Sequence, residues 1–255
     1  MTLVTDIAHL AARALRKLVR NPILLFFSLF QPIIFLVLFT QLFTRFTSIP
    51  GFPVSNYLEF ATPGILLQNA FSSALQSGTS VVDDINLGFL QKMLVTPVNR
   101  SAILLGRLTS DMIRVLIQSI IILALAYALG FTVATGAGGI LIILVTIMFF
   151  GLAWSGISLA IGLRTKNTET VFGIGIFLTF PLLFVSTALV PLSLLPSWMQ
   201  TVSKFNPISY TVDAVRALAI TGFDWMTIAQ AYAFIAAIAI VTLGATLYLF
   251  RKVVS

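Results

Sequence analysis

The chain has 255 residues, 58% of them hydrophobic and only 9% charged, with a formal net charge of +7. That balance excludes a soluble globular domain, which must present a charged surface to water, and predicts an integral membrane protein. The basic charge does not point to nucleic acid, because Lys and Arg sit at the ends of apolar runs rather than on one surface; the absence of cysteine excludes disulfides, thiol chemistry and a cysteine-ligated metal.

On a helical wheel of residues Leu3 to Arg20, Leu3, Val4, Ile7, Leu10, Ala11, Ala14, Leu15 and Leu18 share one arc. Arg13, Arg16, Lys17 and Arg20 share the opposite arc. The pattern predicts an interfacial helix over residues 1–20, lying at the membrane surface; the plainer alternative is a basic stop before the first span. The apolar run that follows lacks a small-residue cleavage site and outruns a signal peptide, so it reads as a retained span.

Six runs reach the roughly 20 residues that a hydrocarbon core demands. They lie near Ile23 to Thr44, Ala61 to Val82, Ser101 to Leu129, Gly139 to Leu163, Val171 to Val190 and Thr227 to Phe250. Unpaired backbone amides are costly in lipid, so each is expected to be helical. With both termini cytoplasmic, twelve basic residues fall inside and only Arg45, Lys204 and Arg216 outside, which the positive-inside rule selects.

The second run is the most polar, carrying Gln68, Asn69, Ser72, Ser73, Gln76, Ser77, Thr79 and Ser80. Such side chains either join helices or line a translocation pathway. After it comes a cytoplasmic segment, residues 83–99, in which Phe89, Leu90, Met93 and Leu94 form one apolar stripe with Leu87 near it. Thr96-Pro97 is expected to end this helix of about two turns. An apolar knob of that size docks into a partner's groove or floats among headgroups. In the third run Arg107, Asp111, Arg114 and Gln118 share a narrow stripe, read as a charge-compensated ion network in preference to a proton relay. Gly156, Ser158, Ala160 and Gly162 in the fourth are spaced for close helix approach. Between the fifth and sixth runs, residues 191–226 form an apolar outer connection. There Asn206-Pro207 starts a short re-entrant helix reaching Thr221, with Asp213 and Arg216 spaced for a helix-surface ion pair.

The order Phe60-Ala61-Thr62-Pro63-Gly64-Ile65, Asp84 with Gly88, Leu94-Val95-Thr96-Pro97-Val98-Asn99-Arg100, Leu105-Gly106-Arg107, Leu195-Pro196-Ser197-Trp198 and Asn206-Pro207-Ile208-Ser209-Tyr210 with Arg216 resembles the ABC-2 type permeases, in the branch of daunorubicin-resistance-like and nodulation-type exporters. The resemblance spans essentially the whole chain. It implies one all-α membrane domain over residues 1–255, with six spans, acting as a permease homodimer with two cytoplasmic P-loop ATPase subunits in a prokaryotic plasma membrane. ATP and Mg would be bound by that partner. The chain has no Gly-Lys pair and so no P-loop of its own, which makes it no enzyme by itself. The resemblance places Asp84, Gly88, Phe89, Leu90, Met93, Leu94, Pro97 and Arg100 at the ATPase-coupling contact and Asn206, Pro207, Tyr210, Asp213 and Arg216 at an outer gate. Gln91 and Lys92 stand where the branch often carries an acid. The expected function is ATP-driven export of an amphipathic or lipid-like compound by alternating access. The competing expectations are a stand-alone ion-coupled transporter, which would need Asp111 as its proton site, and a non-transporting membrane scaffold.

Overall fold

The computed structural model describes residues 3–20, 22–48, 52, 54, 56–95 and 99–254, the side chains of 17, 18, 22, 24, 25, 46, 100 and 254 lying outside that description. All regular structure among the described residues is helical: α1 (Leu3–Val19), α2 (Pro22–Leu42), α3 (Tyr57–Asn86), α4 (Phe89–Leu94), α5 (Arg100–Ala128), α6 (Gly136–Thr165), α7 (Thr168–Phe184), α8 (Ser197–Ser203), α9 (Pro207–Arg216) and α10 (Trp225–Val254). By length and composition Ser101–Ala128, Gly136–Thr165 and Trp225–Val253 are apolar enough to cross a membrane, and Phe26–Leu42 and Thr168–Phe184 are shorter apolar helices. The remaining long helix, α3, has 30 residues but a lower apolar content. Its polar side chains are tolerable because the helix is enclosed by its neighbours, with twenty of its residues buried, so it faces protein and little lipid.

Residue pairings give the directions of α3, α5, α6, α7 and α10. Phe71 of α3 meets Phe150 and Trp154 of α6 edge-on at 5.0 and 4.7 Å, and one turn on, the Ser158 hydroxyl donates to the Ala74 carbonyl. Numbers rise together, so α3 and α6 run parallel. Thr146 meets Tyr232, and Thr242 and Thr246 donate to the carbonyls of Ala153 and Gly156 at 2.8 Å, which makes α10 parallel to α6. Between α3 and α5 the pairs are Ser73 with Arg114, Ser77 with Asp111 and Asp84 with Arg107, so these two are antiparallel. Trp154 donates to Thr179 while Gly175 abuts Leu75, and α7 therefore also runs against α3 and α6. The small residues of α6 serve two partners. A methyl at Gly156 would stand 2.5 Å from Thr242 Oγ1 on α10, whereas one at Gly162 would stand 2.7 Å from the Gly78 carbonyl on α3. Removing the Cβ at both crossings lets hydroxyls reach backbone oxygens across the seam.

Two expectations change here. Helix α7, from the fifth apolar run, stops at Phe184 instead of continuing to Val190. Pro181 withholds a backbone donor from the last turn, and the Asn206 side-chain amide donates to the Leu182 carbonyl at 2.6 Å, satisfying a terminal acceptor that a further turn would have used. Leu87 does not join the apolar stripe of α4. Gly88 has φ of 67°, a left-handed turn that separates the two helices and leaves Leu87 73% exposed. At the start of α10, Asp224 accepts from the backbone N–H of Met226 and Thr227 and from the Thr227 hydroxyl at 2.5 Å, contacts that hold its carboxyl below the usual range.

Candidate functional site

At one end of the bundle an apolar cluster gathers the ends of five long helices, with Val81, Val82, Ile85, Ile103, Leu104, Leu159, Leu163, Val171 and Phe250 in contact. Leu90 of α4 is inserted into it and only 3% exposed, with Met93 and Leu94 packed beside it. Helix propensity alone would not hold six residues helical, so α4 exists because Leu90 anchors it and Gly88 aims it. Its outer side carries Gln91 and Lys92, both exposed. Phe89 lies under α1, the Arg13 guanidinium carbon standing 3.5 Å from the ring centroid. Helix α1 itself lies along α5, where a methyl on Gly106 would come within 2.7 Å of the Leu10 Cβ and 3.2 Å of the Ile7 carbonyl. Arg16 and Arg20 point away and are exposed. Pro97, and the side chains of Lys17 and Arg100, lie outside the described residues.

Charged side chains tie the same end together. Asp84 pairs with Arg107 at 2.6 Å, across from α3 to α5. Asp111 pairs with Arg114 at 2.8 Å and accepts the Ser77 hydroxyl; Arg114 also donates to the Ser73 hydroxyl and carbonyl at 2.8 and 2.7 Å. The expected single stripe on the third span is thus divided: Arg107 serves Asp84 and leaves Asp111 to Arg114. Geometry explains this, because Asp84 sits at the antiparallel register opposite Arg107 and removes one charge from each helix's desolvation cost. Gln118 donates to Ser28 of α2 at 3.0 Å. Asn69 is 1% exposed and neither of its amide atoms has a partner among the described residues. Gln68, Ser72 and Gln76 are half-buried, and Gln76 reaches a cavity of about 390 Å³ walled by α1, α3, α4, α5 and α10.

At the opposite end Asn206 caps α9 by accepting from the Ile208 N–H at 3.0 Å, and Pro207 opens the helix. Tyr210 donates to the Lys204 carbonyl at 2.8 Å and stacks on Phe234 at 4.2 Å. The expected helix-surface ion pair of Asp213 and Arg216 is an internal clasp. Besides meeting Asp213 at 3.0 Å, Arg216 donates to the Thr187 carbonyl at 2.7 Å and to that of Phe60 at 3.4 Å, and lies 4.0 Å over the Phe60 ring. Thr187 returns a hydroxyl to Asp213 at 2.7 Å. Short α9 thus clips the start of α3 to the segment after α7.

Two contacts were not anticipated from the sequence. Asp6 is buried and accepts from the Asn99 N–H at 3.5 Å, tying α1 to the start of α5. Its signal was an acid at the edge of an apolar arc. The Arg13–Phe89 contact joins segments 76 positions apart and has no local signal.

Residues 5–220 match the family described as ABC-2 type transporter. The ycf38 protein of Cyanophora paradoxa, which carries the name of a transport permease, is 34% identical over 84% of this chain and 74% of its own length. The daunorubicin resistance ABC transporter permease protein DrrB1 of Streptomyces coeruleorubidus is 30% identical over 81% of this chain and 72% of its own. A Mycobacterium tuberculosis protein named as the doxorubicin resistance permease DrrC is 29% identical over 60% of this chain and 56% of its own. With its all-helical, strongly apolar architecture, the chain belongs to the ABC-2 type transporter family as a permease subunit.

Proposed function

We propose that this permease forms, with a separate P-loop ATPase, an exporter that moves an amphipathic or lipid-like compound out of the cytoplasm. Its six long helices cross the plasma membrane with both termini inside, and the chain acts as a homodimer that binds two ATPases. The observation that carries this reading is the build of α4, a short helix anchored by Leu90 with Phe89 gripped by Arg13 of α1. A rigid knob held at both sides passes on a push, where a loose loop would absorb it. Closure of the ATPase dimer against α4 would move α1 and the adjoining ends of α3 and α5 as one body, and the clasp around Arg216 would respond at the outer end. ATP and Mg belong to the partner, whose hydrolysis supplies the drive. Asp111, already held by Arg114 and Ser77, is a poor proton carrier for the competing ion-coupled mechanism.

The test is to co-express the permease with candidate ATPase subunits, isolate the complex and measure ATP hydrolysis with and without this chain. A stable complex with altered hydrolysis is expected, and Phe89→Asp is expected to abolish complex formation while leaving membrane insertion intact. A Phe89→Asp chain that binds and stimulates the ATPase like the parent would remove α4 from the coupling role.

A further inference from the structure

We infer that the cavity beneath α1 is a binding site for the headgroup of a zwitterionic phospholipid, phosphatidylethanolamine in type, drawn from the leaflet on the α1 side. This rests on the membrane placement proposed above, though not on the ATPase partnership. The cavity measures about 390 Å³, within the range of small-ligand sites, and lies between α1, α3, α4, α5 and α10. Leu10, Leu15, Leu90, Met93 and Phe250 supply apolar wall for the upper parts of acyl chains.

The charges on its lining decide the ligand. Three cations, Arg13, Arg107 and Arg114, face three acids, Asp83, Asp84 and Asp111. Arg114 is consumed by Asp111 and Ser73, and Arg107 gives one terminal nitrogen to Asp84. Among the described residues, Asp83 has no ion pair and is exposed, and Arg13 meets only the Phe89 ring. Arg107 has no acceptor for its Nε, so its hydrogen-bonding capacity is also only partly used. The lining therefore offers both cationic N–H donors and an open carboxylate, with no net charge to favour a purely anionic or purely cationic guest. A phosphate ester oxygen suits Arg13 and Arg107, and a primary ammonium suits Asp83. An amphipathic helix capping such a cavity lies at headgroup depth, where this ligand is concentrated.

The experiment uses the purified, delipidated full chain in a neutral detergent, with binding of phosphatidylethanolamine and phosphatidylglycerol measured by native mass spectrometry across a lipid titration. The parent is expected to prefer phosphatidylethanolamine. Asp83→Asn is expected to weaken phosphatidylethanolamine about tenfold, the loss of one charge-assisted contact, and to leave phosphatidylglycerol unchanged. Arg13→Gln is expected to weaken both, and Asp83→Glu to restore the preference. Equal affinity of the parent for the two lipids, or a preference that survives Asp83→Asn, overturns the site. A variant that fails to fold is recognised by its loss of a monodisperse elution profile, and Asp83→Ser, which also removes the carboxylate, then carries the comparison against the parent. Failure here with an intact ATPase complex would sink this site alone, whereas lipid selectivity without an ATPase complex would sink the coupling role alone.

Discussion

At the residue scale, single side chains in this molecule hold several backbone segments at once. Arg216 is the clearest case, because one guanidinium satisfies the Thr187 carbonyl, reaches the Phe60 carbonyl and pairs with Asp213. A planar fork makes those contacts together, and an ammonium does not. Arg216→Met is therefore expected to lower stability by about 1–3 kcal/mol, less than the cost of breaking a fully buried pair, because the Asp213 side chain is 43% exposed and recovers some solvation. Arg216→Lys is expected to recover less than half of the loss. Thermal unfolding in detergent measures both, and an Arg216→Met protein with the parent's midpoint would show that the clasp contributes nothing to the fold. The pairing of Asp213 with Arg216 was legible from their spacing, but its role was not, since nothing local reveals that Thr187 and Phe60 approach from other parts of the chain.

At the element scale, α3 and α6 form the axis about which the other helices are placed, and their contact is made by absent side chains. Gly78 sits against the Ser158 carbonyl and Gly162 against the Gly78 carbonyl. Gly78→Leu is expected to force the helices apart and cost about 3 kcal/mol or more, because neither backbone can yield as a flexible side chain would. Gly173→Leu on α7 meets nothing within 4 Å and serves as the control, expected to leave the unfolding midpoint near that of the parent. Equal midpoints for the two variants would refute close packing at the α3–α6 crossing. The spacing of small residues on α6 announced tight packing, yet not that Gly156 and Gly162 face different helices; that choice depends on the bundle's arrangement. The elements themselves were legible where apolar periodicity or a cap was strong, as with α1, the start of α9 at Asn206-Pro207 and the long apolar helices. The end of α7 was not, since the Leu182 carbonyl is satisfied by Asn206, 24 positions away.

At the scale of the whole molecule, the helix directions and the charge distribution bear on each other. The long helices reverse direction in turn, so the α3–α4 turn, the α6–α7 turn and the end of α10 share one end of the bundle with α1. Arg13, Arg107, Arg164, Lys166, Arg251 and Lys252 gather at that end, and Arg45, Lys204 and Arg216 lie at the other. Through the positive-inside rule this asymmetry supports the proposed orientation, in which the α1 and α4 end faces the cytoplasm. Because the chain has no cysteine, any single cysteine introduced can be read without background. Leu87→Cys and Asn167→Cys, both at exposed turns, are expected to resist a membrane-impermeant maleimide in intact cells and to react once the membrane is opened. Thr132→Cys and Phe205→Cys, exposed at the opposite end, are expected to react in intact cells. Four sites labelling in that two-and-two pattern require the chain to cross the membrane an odd number of times between each site and the next. Reaction of Leu87→Cys in intact cells would invert the orientation and put α4 out of reach of any cytoplasmic ATPase, so this measurement bears on the coupling proposal before a partner is identified.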